Sequence, residues 1–332
     1  MLQLDHILHR AVIPLNFAQT GRWGAVLRGG QAGAHTNPAI TKLRQLWRAT
    51  EPYKKPGKWT DSRVKLFPYQ VGFTCPPHDF DAAPSDFLRM APRSVGVHGR
   101  MLHVPDYQHR LDQRKRHFGL LEEFVHCMAN NGVDVCGQVG SNWVHASGLG
   151  VEGIRQHCAM LSERYETPFH MAGYALVEAL RECNVEKVAL NACYHDASWY
   201  RGTVAFLREA GFDVVWAGNF VDQGWFETQA DVDHCVWCFD EALLWKSFDY
   251  VATQAPHVDA YLINGMSNYR RPGDGLAQRP VHHELALEAR LGRPVIGHDS
   301  ALYWRLFKTL GLAPETQQGT LLSSLRASPC TK

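Results

Sequence analysis

No apolar run in the 332-residue sequence approaches the roughly 18–20 residues that a membrane-spanning helix needs. An excess of charge is also missing: 34 Lys and Arg stand against 33 Asp and Glu, which leaves no basic face for nucleic acid. No GxGxxG follows the first strand-like segment and no GxxxxGK[ST] occurs, so nucleotide cofactors lose their signatures. There is no GxSxG elbow of the α/β-hydrolase kind. Disorder is excluded by composition, with 45% hydrophobic and 20% charged residues. Cysteine is not scarce, but nine is an odd number at irregular spacing, and Cys127, Cys136, Cys158 and Cys183 fall in apolar, periodic stretches. Free buried thiols of a reducing compartment fit that pattern better than a disulfide framework. The N-terminal MLQLDHILHRAVIPLNF has an early acidic residue and no small-residue cleavage site, which makes it a poor signal peptide and the cytoplasm the expected location.

What is present reads as two lobes behind an extension, at roughly 100–200 residues per domain. Residues 1–64 contain the cluster Pro52-Tyr53-Lys54-Lys55-Pro56-Gly57-Lys58 and one expected helix over 37–48. Trp23, Trp47 and Trp59 argue that this extension packs on the body or on a partner subunit, so a homo-oligomer is possible. From residue 65 strand and helix signals alternate. Strands are expected over 69–74, 94–98, 133–139, 187–191, 213–217, 260–264 and 295–297. Helices are expected over 110–131, 151–165, 168–183, 198–210, 231–247, 281–291 and 300–310. Such alternation means an α/β fold with mainly parallel sheets. The expected division is a first lobe over 65–170, to which 296–313 returns, and a second over 171–295.

Ligands of open parallel sheets bind beyond the carboxyl ends of the strands. That rule selects four loops. Gly140-Ser141-Asn142-Trp143 offers backbone N–H groups, a hydroxyl and an amide, donors suited to a carboxylate or an oxyanion; the plainer alternative is a turn with Asn as a helix cap. Cys193-Tyr194-His195-Asp196 brings a thiol, a phenol, an imidazole and a carboxylate together, and a Cys–His pair is a candidate nucleophile and base. Alternate residues there cannot all face one way, and Asp196 or Ser198 as a helix cap with His195 at the surface is the competing reading. Gly265-Met266-Ser267, followed by Arg270-Arg271, offers donors and carboxylate partners, or simply a solvent loop. Cys75-Pro76-Pro77 gives a rigid loop that could wall a site, with Cys75 a possible nucleophile or a packed thiol.

Other motifs carry less. Cys235-Val236-Trp237-Cys238 is a CxxC without a second pair, placed in what reads as an apolar helix, and a structural zinc site needs four ligands. His282-His283-Glu284 and His298-Asp299 read more simply as helix starts than as metal ligands. No metal and no cofactor are expected.

The loops resemble those of the aspartate/glutamate racemase superfamily, in the branch that holds arylmalonate decarboxylase and maleate cis–trans isomerase. The resemblance spans about 68–312 and rests on VGFTCPP at 71–77, GVDVCGQVGSN at 132–142, KVALNACYHD at 187–196, DAYLING at 259–265 and GRPVIGHDSALYW at 292–304. It implies two Rossmann-like, flavodoxin-like lobes related by a pseudo-twofold, a site between them, and no cofactor. It also implies that Ser141, Asn142 and Tyr194 bind a carboxylate and that Pro76 stiffens the first loop. Where the family uses its first cysteine this chain has Gly140, and where it uses the second it has Gly265 or Met266. Two-thiol racemization is therefore doubtful, and Cys193, Cys75 and His195 are left as candidates to deliver a proton.

The function this implies is a cofactor-independent, decarboxylase-like lyase acting on a small dicarboxylic acid, malonate-type or unsaturated. Ser141, Asn142 and Tyr194 would hold one carboxylate, and an apolar wall with Trp143 would expel the other as CO₂. Alternatives are a cis–trans isomerase or racemase of an unsaturated dicarboxylate, a metal-dependent hydrolase, and a non-catalytic carboxylate-binding protein. The expected partner is a small-molecule carboxylate, with neither nucleic acid nor membrane.

Overall fold

The structure is a computed structural model that describes residues 65–75, 81–265 and 267–327. The expected extension over 1–64 with its helix, and the site candidates Pro76 and Met266, lie outside these residues; Cys75 is described only as backbone.

Two four-stranded parallel sheets form the frame. The first takes β1 (Tyr69–Cys75), β2 (Val95–Met101), β3 (Val135–Gln138) and β4 (Phe169–Met171) in the order β2-β1-β3-β4. The second takes β5 (Lys187–Cys193), β6 (Asp213–Asn219), β8 (Ala260–Ile263) and β11 (Val295–Gly297) in the order β11-β8-β5-β6. Read from the edge strand, β6-β5-β8-β11 repeats β2-β1-β3-β4, which is the two-lobe arrangement expected of the fold. In both sheets the central strands are buried on both faces. Val71, Phe73, Val188, Ala189 and Leu190 are fully enclosed, as strands covered by helices on either side require.

The helices that matter for the site follow the strand ends. They are α1 (Ala83–Met90), α2 (Leu111–Arg116), α3 (Leu120–Asn130), α4 (Asn142–Ala146), α5 (Gly150–Arg164), α6 (Ala172–Glu182) and α7 (Ala197–Glu209). Further on come α8 (Gln229–Asp233), α9 (Glu241–Gln254), α10 (Glu284–Leu291), α11 (His298–Leu310) and α12 (Thr320–Ala327). Helix α11 leaves β11 of the second sheet and packs on α6 and β3, so one apolar core runs across both sheets.

Three segments differ from the sequence-based expectation. The helix expected over 110–131 is two, α2 and α3, parted at His117–Gly119. Helix α3 buries Leu121, Phe124, Val125 and Met128, whereas α2 buries Gln113 and Arg114, and a single straight helix cannot serve both surroundings. The stretch over 168–183 begins with β4, an edge strand of only three residues, too short to show alternation. The helix expected over 231–247 is broken at the CxxC. Val236 and Trp237 are left-handed, with φ of 46° and 56°, and Cys238 opens β7 (Cys238–Asp240). That strand pairs in parallel with β9 (Asn268–Arg270), and β9 pairs antiparallel with β10 (Ala277–Gln278).

Candidate active site

The loops after β3, β5 and β8 converge on one cavity of about 500 Å³. Gly140, Ser141 and Asn142 line it from the first sheet; Tyr194, His195, Trp199 and Gly265 line it from the second. The small third sheet and its turn add Val236, Trp237 and Asn268, and the segment before α2 adds Gln108 and His109.

The end of β5 decides which side chains enter. Asn191 is buried within that strand, and its amide is held by Ser247 Oγ at 2.6 Å and Gln223 Nε2 at 3.1 Å. Its Oδ1 also accepts the Cys193 N–H at 3.1 Å. The chain turns there: the pairing of β5 with β6 shifts register between Asn191 and Cys193, and Cys193 has φ of 53°. An irregularity of this kind re-aims the residues that follow it. Cys193 is left fully buried, away from the cavity lining, and burial pushes its thiol up to about 12. Tyr194 and His195 are carried to the cavity instead, with backbone carbonyls held at 2.8 Å by the side-chain amides of Gln229 and Asn219. Asp196 caps α7, accepting from the Ser198 and Trp199 N–H groups at 2.6 and 3.3 Å.

Ser141, Asn142, His195 and Asn264 form a polar chain across the two sheets. Ser141 Oγ donates to Asn264 Oδ1 at 2.7 Å, and Asn142 Nδ2 lies 3.1 Å from His195 Nε2. An amide nitrogen can only donate, so Nε2 accepts and the imidazole proton sits on Nδ1. That Nδ1 is buried and makes no hydrogen bond among the described residues, although the Ala192 backbone acts on the ring. Burial, reinforced by the positive charge of Arg114 and by His298 and His145, holds His195 down at about 3. His195 is therefore neutral at physiological pH, and the residue lines the cavity.

Glycine is required at Gly265. Its φ is 107°, and a methyl group there would stand 2.7 Å from His195 Cε1 and 2.8 Å from Tyr194 Cε1. Gly140, with φ of 95°, makes the corresponding turn after β3. The lining is otherwise aromatic on one side. The His195 ring stacks on Trp199 at 5.8 Å between centroids, and Tyr194 and His109 lie 6.4 and 5.1 Å from Trp237.

The charged groups differ in their pairing. Arg279 is buried between Asp81 at 2.7 Å and Asp299 at 3.0 Å. Burial, partly offset by Arg279, raises Asp299 to about 6. Asp233 accepts from Gln229 Nε2 at 2.9 Å. Arg114, in contrast, forms no ion pair among the described residues. Its Nε donates to Tyr107 Oη at 3.0 Å, and its guanidinium lies 5.5 Å from the Trp143 ring and 4.7 Å from that of Trp199.

Of the residues singled out in the sequence, Gly140, Ser141, Asn142, Tyr194, His195 and Gly265 line the cavity together. Three do not. Cys193 is turned into the neighbouring core; Ser267 is fully buried, with its Oγ 3.2 Å from Tyr269 Oη; and Trp143 is buried beneath Arg114 instead of walling the cavity. His298 is buried too, its Nδ1 3.1 Å from the Ile263 carbonyl. Arg114, Trp199, Gln229, Trp237 and Arg279 escaped the sequence reading. A signal existed for Arg114: it falls three residues after Leu111 and four before Phe118, a charge on an apolar helical stripe. Among the described residues no three His, Cys, Asp or Glu side chains are grouped to hold a metal ion, and no helix is long and apolar enough to cross a membrane.

No family profile matches the chain, and no curated protein matches it by sequence. Solved structures do match by shape. The crystal structure of arylmalonate decarboxylase superposes with a TM-score of 0.58 at 18% identity, covering 76% of this chain and 99% of that one. The maleate isomerase Iso from Pseudomonas putida S16 gives 0.58 at 18%, covering 77% and 99%. A Nocardia farcinica maleate cis–trans isomerase carrying a covalently bound succinylcysteine intermediate gives 0.58 at 15%, covering 77% and 98%. The two-lobed α/β fold of this chain is thus the fold of arylmalonate decarboxylase and maleate cis–trans isomerase.

Proposed function

We propose that the protein is a cofactor-independent carbon–acid enzyme that decarboxylates a small malonate-type diacid with an aryl or alkenyl substituent. The observation that carries this is the neutral His195, which lines the cavity among carboxylate donors and whose buried Nδ1 makes no hydrogen bond among the described residues. One substrate carboxylate is held by Asn142, Tyr194 and the loop N–H groups at Gly140 and Gly265. The other departs as CO₂, and its charge is lost from a cavity that excludes water. Cleavage of the carbon–carboxylate bond leaves its electron pair on the α-carbon as an enediolate. The loop donors stabilise that charge, and His195 Nδ1 delivers the single proton that gives the monoacid. The imidazolate this leaves, its Nε2 still facing the Asn142 amide, is reprotonated by water, and the hydroxide formed takes up the CO₂ as bicarbonate.

Isomerization of an unsaturated diacid through a covalent thiol fits less well. The isomerase neighbour is seen with a succinylcysteine intermediate, whereas no cysteine is among the described residues that line this cavity. Aryl- and alkenylmalonates together with maleate, followed both for CO₂ and for double-bond geometry, separate the two. Release of CO₂ from a malonate with maleate unchanged supports decarboxylation; conversion of maleate to fumarate without CO₂ overturns it.

A further inference from the structure

We propose that Arg114 is a specificity-determining residue of this cavity, the anchor of a second anionic group, so that the site selects dianions over monoanions of the same shape. The inference rests on the carboxylate-binding reading of the cavity and adds a residue and a selectivity to it.

A buried arginine normally sits against carboxylates, because an uncompensated charge inside a protein is costly. Arg279 shows the ordinary solution, with Asp81 and Asp299 on either side. Arg114 is nearly as enclosed, at 6% exposure, and lines the same cavity with no carboxylate among the described residues to balance it. The nearby acids are already engaged: Asp81 with Arg279, Asp196 as the α7 cap, and Asp233 with Gln229.

The side chain is also held in one orientation. Its guanidinium lies against the rings of Trp143 and Trp199, as a weakly hydrated planar cation does well. Tyr107 Oη takes only the Nε hydrogen, which leaves the Nη donors for a bidentate partner. The supporting segment is clipped in place. The Gln108 N–H donates to Gln113 Oε1, and Gln113 Nε2 donates to the Asp106 carbonyl, both at 2.8 Å. A fixed, desolvated guanidinium that lines a cavity and has no ion pair among the described residues suits an anion that arrives from solution. Trp199 contacts both Arg114 and His195, so a flat apolar group of the ligand would lie between the two.

Two matched pairs of probes test this: phenylmalonate against phenylacetate, and maleate against isocrotonate, which keeps the cis double bond. Each is measured by calorimetry and thermal shift at equal ionic strength. The wild-type protein is expected to bind at least one dianion at least tenfold more tightly than its monoanion. Arg114→Gln removes that preference while leaving monoanion affinity within about threefold, and Arg114→Lys retains part of it. If Arg114→Gln does not fold, Arg114→Lys and Tyr107→Phe, which removes the hydroxyl that holds Nε, carry the comparison. A wild type without preference for either dianion, or a preference that survives Arg114→Gln, overturns the inference. Its failure is separable from that of the proposed function. Arg114-dependent dianion binding without CO₂ release leaves the inference standing and removes the reaction, whereas CO₂ release with KM unchanged in Arg114→Gln does the reverse.

Discussion

Asn142 Nδ2 and His195 Nε2 lie 3.1 Å apart, and this one contact joins the loop after β3 of the first sheet to the loop after β5 of the second. It fixes the tautomer that places the His195 proton on Nδ1. Asn142→Asp replaces the donor by a carboxylate and should raise the imidazole pKa from about 3 into an easily titrated range. Nitrogen-15 NMR of the ring checks it. The wild-type ring should stay neutral with an Nδ1 proton from pH 5 to 8, and a wild-type titration near 6.5 would contradict the assignment.

Turnover should share that flatness. With His195 held at about 3, no imidazole break is expected in kcat/KM near pH 6.5. Stability behaves differently. His195 and His170 are held at about 3, and His145 and His298 at about 4, in each case chiefly by burial. The unfolded chain binds protons at these positions near the ordinary 6.5 while the native protein does not. Stability is therefore lost as pH falls below about 6.5, by up to ~1.4 kcal/mol per pH unit for each histidine. Buried Asp299, raised to about 6, works in the opposite sense below that pH, and buried Glu284, also raised, works in the same direction as Asp299. Four histidines outweigh two carboxyls, so Tm should fall steadily from pH 7 to 4.5. A Tm that is level across that range contradicts the burial of these rings.

Gly265→Ala should disable the site. The residue would have to hold φ of 107° with its methyl against His195 and Tyr194. A strained backbone position of this type costs roughly 1–3 kcal/mol, and relief by shifting either ring misplaces it. Urea unfolding and turnover measured together should both decline. Unchanged turnover would place the reaction elsewhere.

Cys193→Ala should keep turnover within about twofold of wild type, because the buried thiol lies behind the strand end and not on the cavity. It should lose roughly 1–2 kcal/mol of stability through lost packing. Abolished turnover in a folded variant would restore the thiol as a reacting group.

Arg279→Met leaves Asp81 and Asp299 buried without their cation. Breaking a buried pair in this way destabilises by about 3–5 kcal/mol. Chemical denaturation of the variant reads that loss directly. A change below about 1 kcal/mol would mean that the triad contributes little to holding the segment before α1.

The sequence made the layered architecture and most of the cavity floor legible, because each is a local property. Alternation of apolar strands and helices names the parallel sheets, and the strand-end rule picks out Gly140–Asn142, Tyr194, His195 and Gly265. What it could not supply depends on distant contacts. Whether Cys193 or His195 enters the cavity is decided by the buried amide of Asn191 and its partners Ser247 and Gln223, which are 56 and 32 residues away. The cavity wall at Val236 and Trp237 rests on a left-handed turn at residues that seldom adopt one, held by the Asn268 N–H to the Trp237 carbonyl at 2.8 Å. Arg114 looks like one cation among three in LeuAspGlnArgLysArg; its place on the Leu111–Phe118 stripe is a faint local mark, and its burial is what sets it apart from Lys115 and Arg116.

The central claim is that His195 delivers one proton to a carbanion formed by loss of CO₂ in this cavity. Its most direct test is aryl- and alkenylmalonate turnover in D₂O, with CO₂ and product deuterium quantified for wild type and His195→Gln. One CO₂ and one α-deuterium per turnover are predicted, with the rate falling roughly 100–10,000-fold in the variant. No CO₂ from any malonate, or CO₂ released at an undiminished rate by His195→Gln, would contradict it.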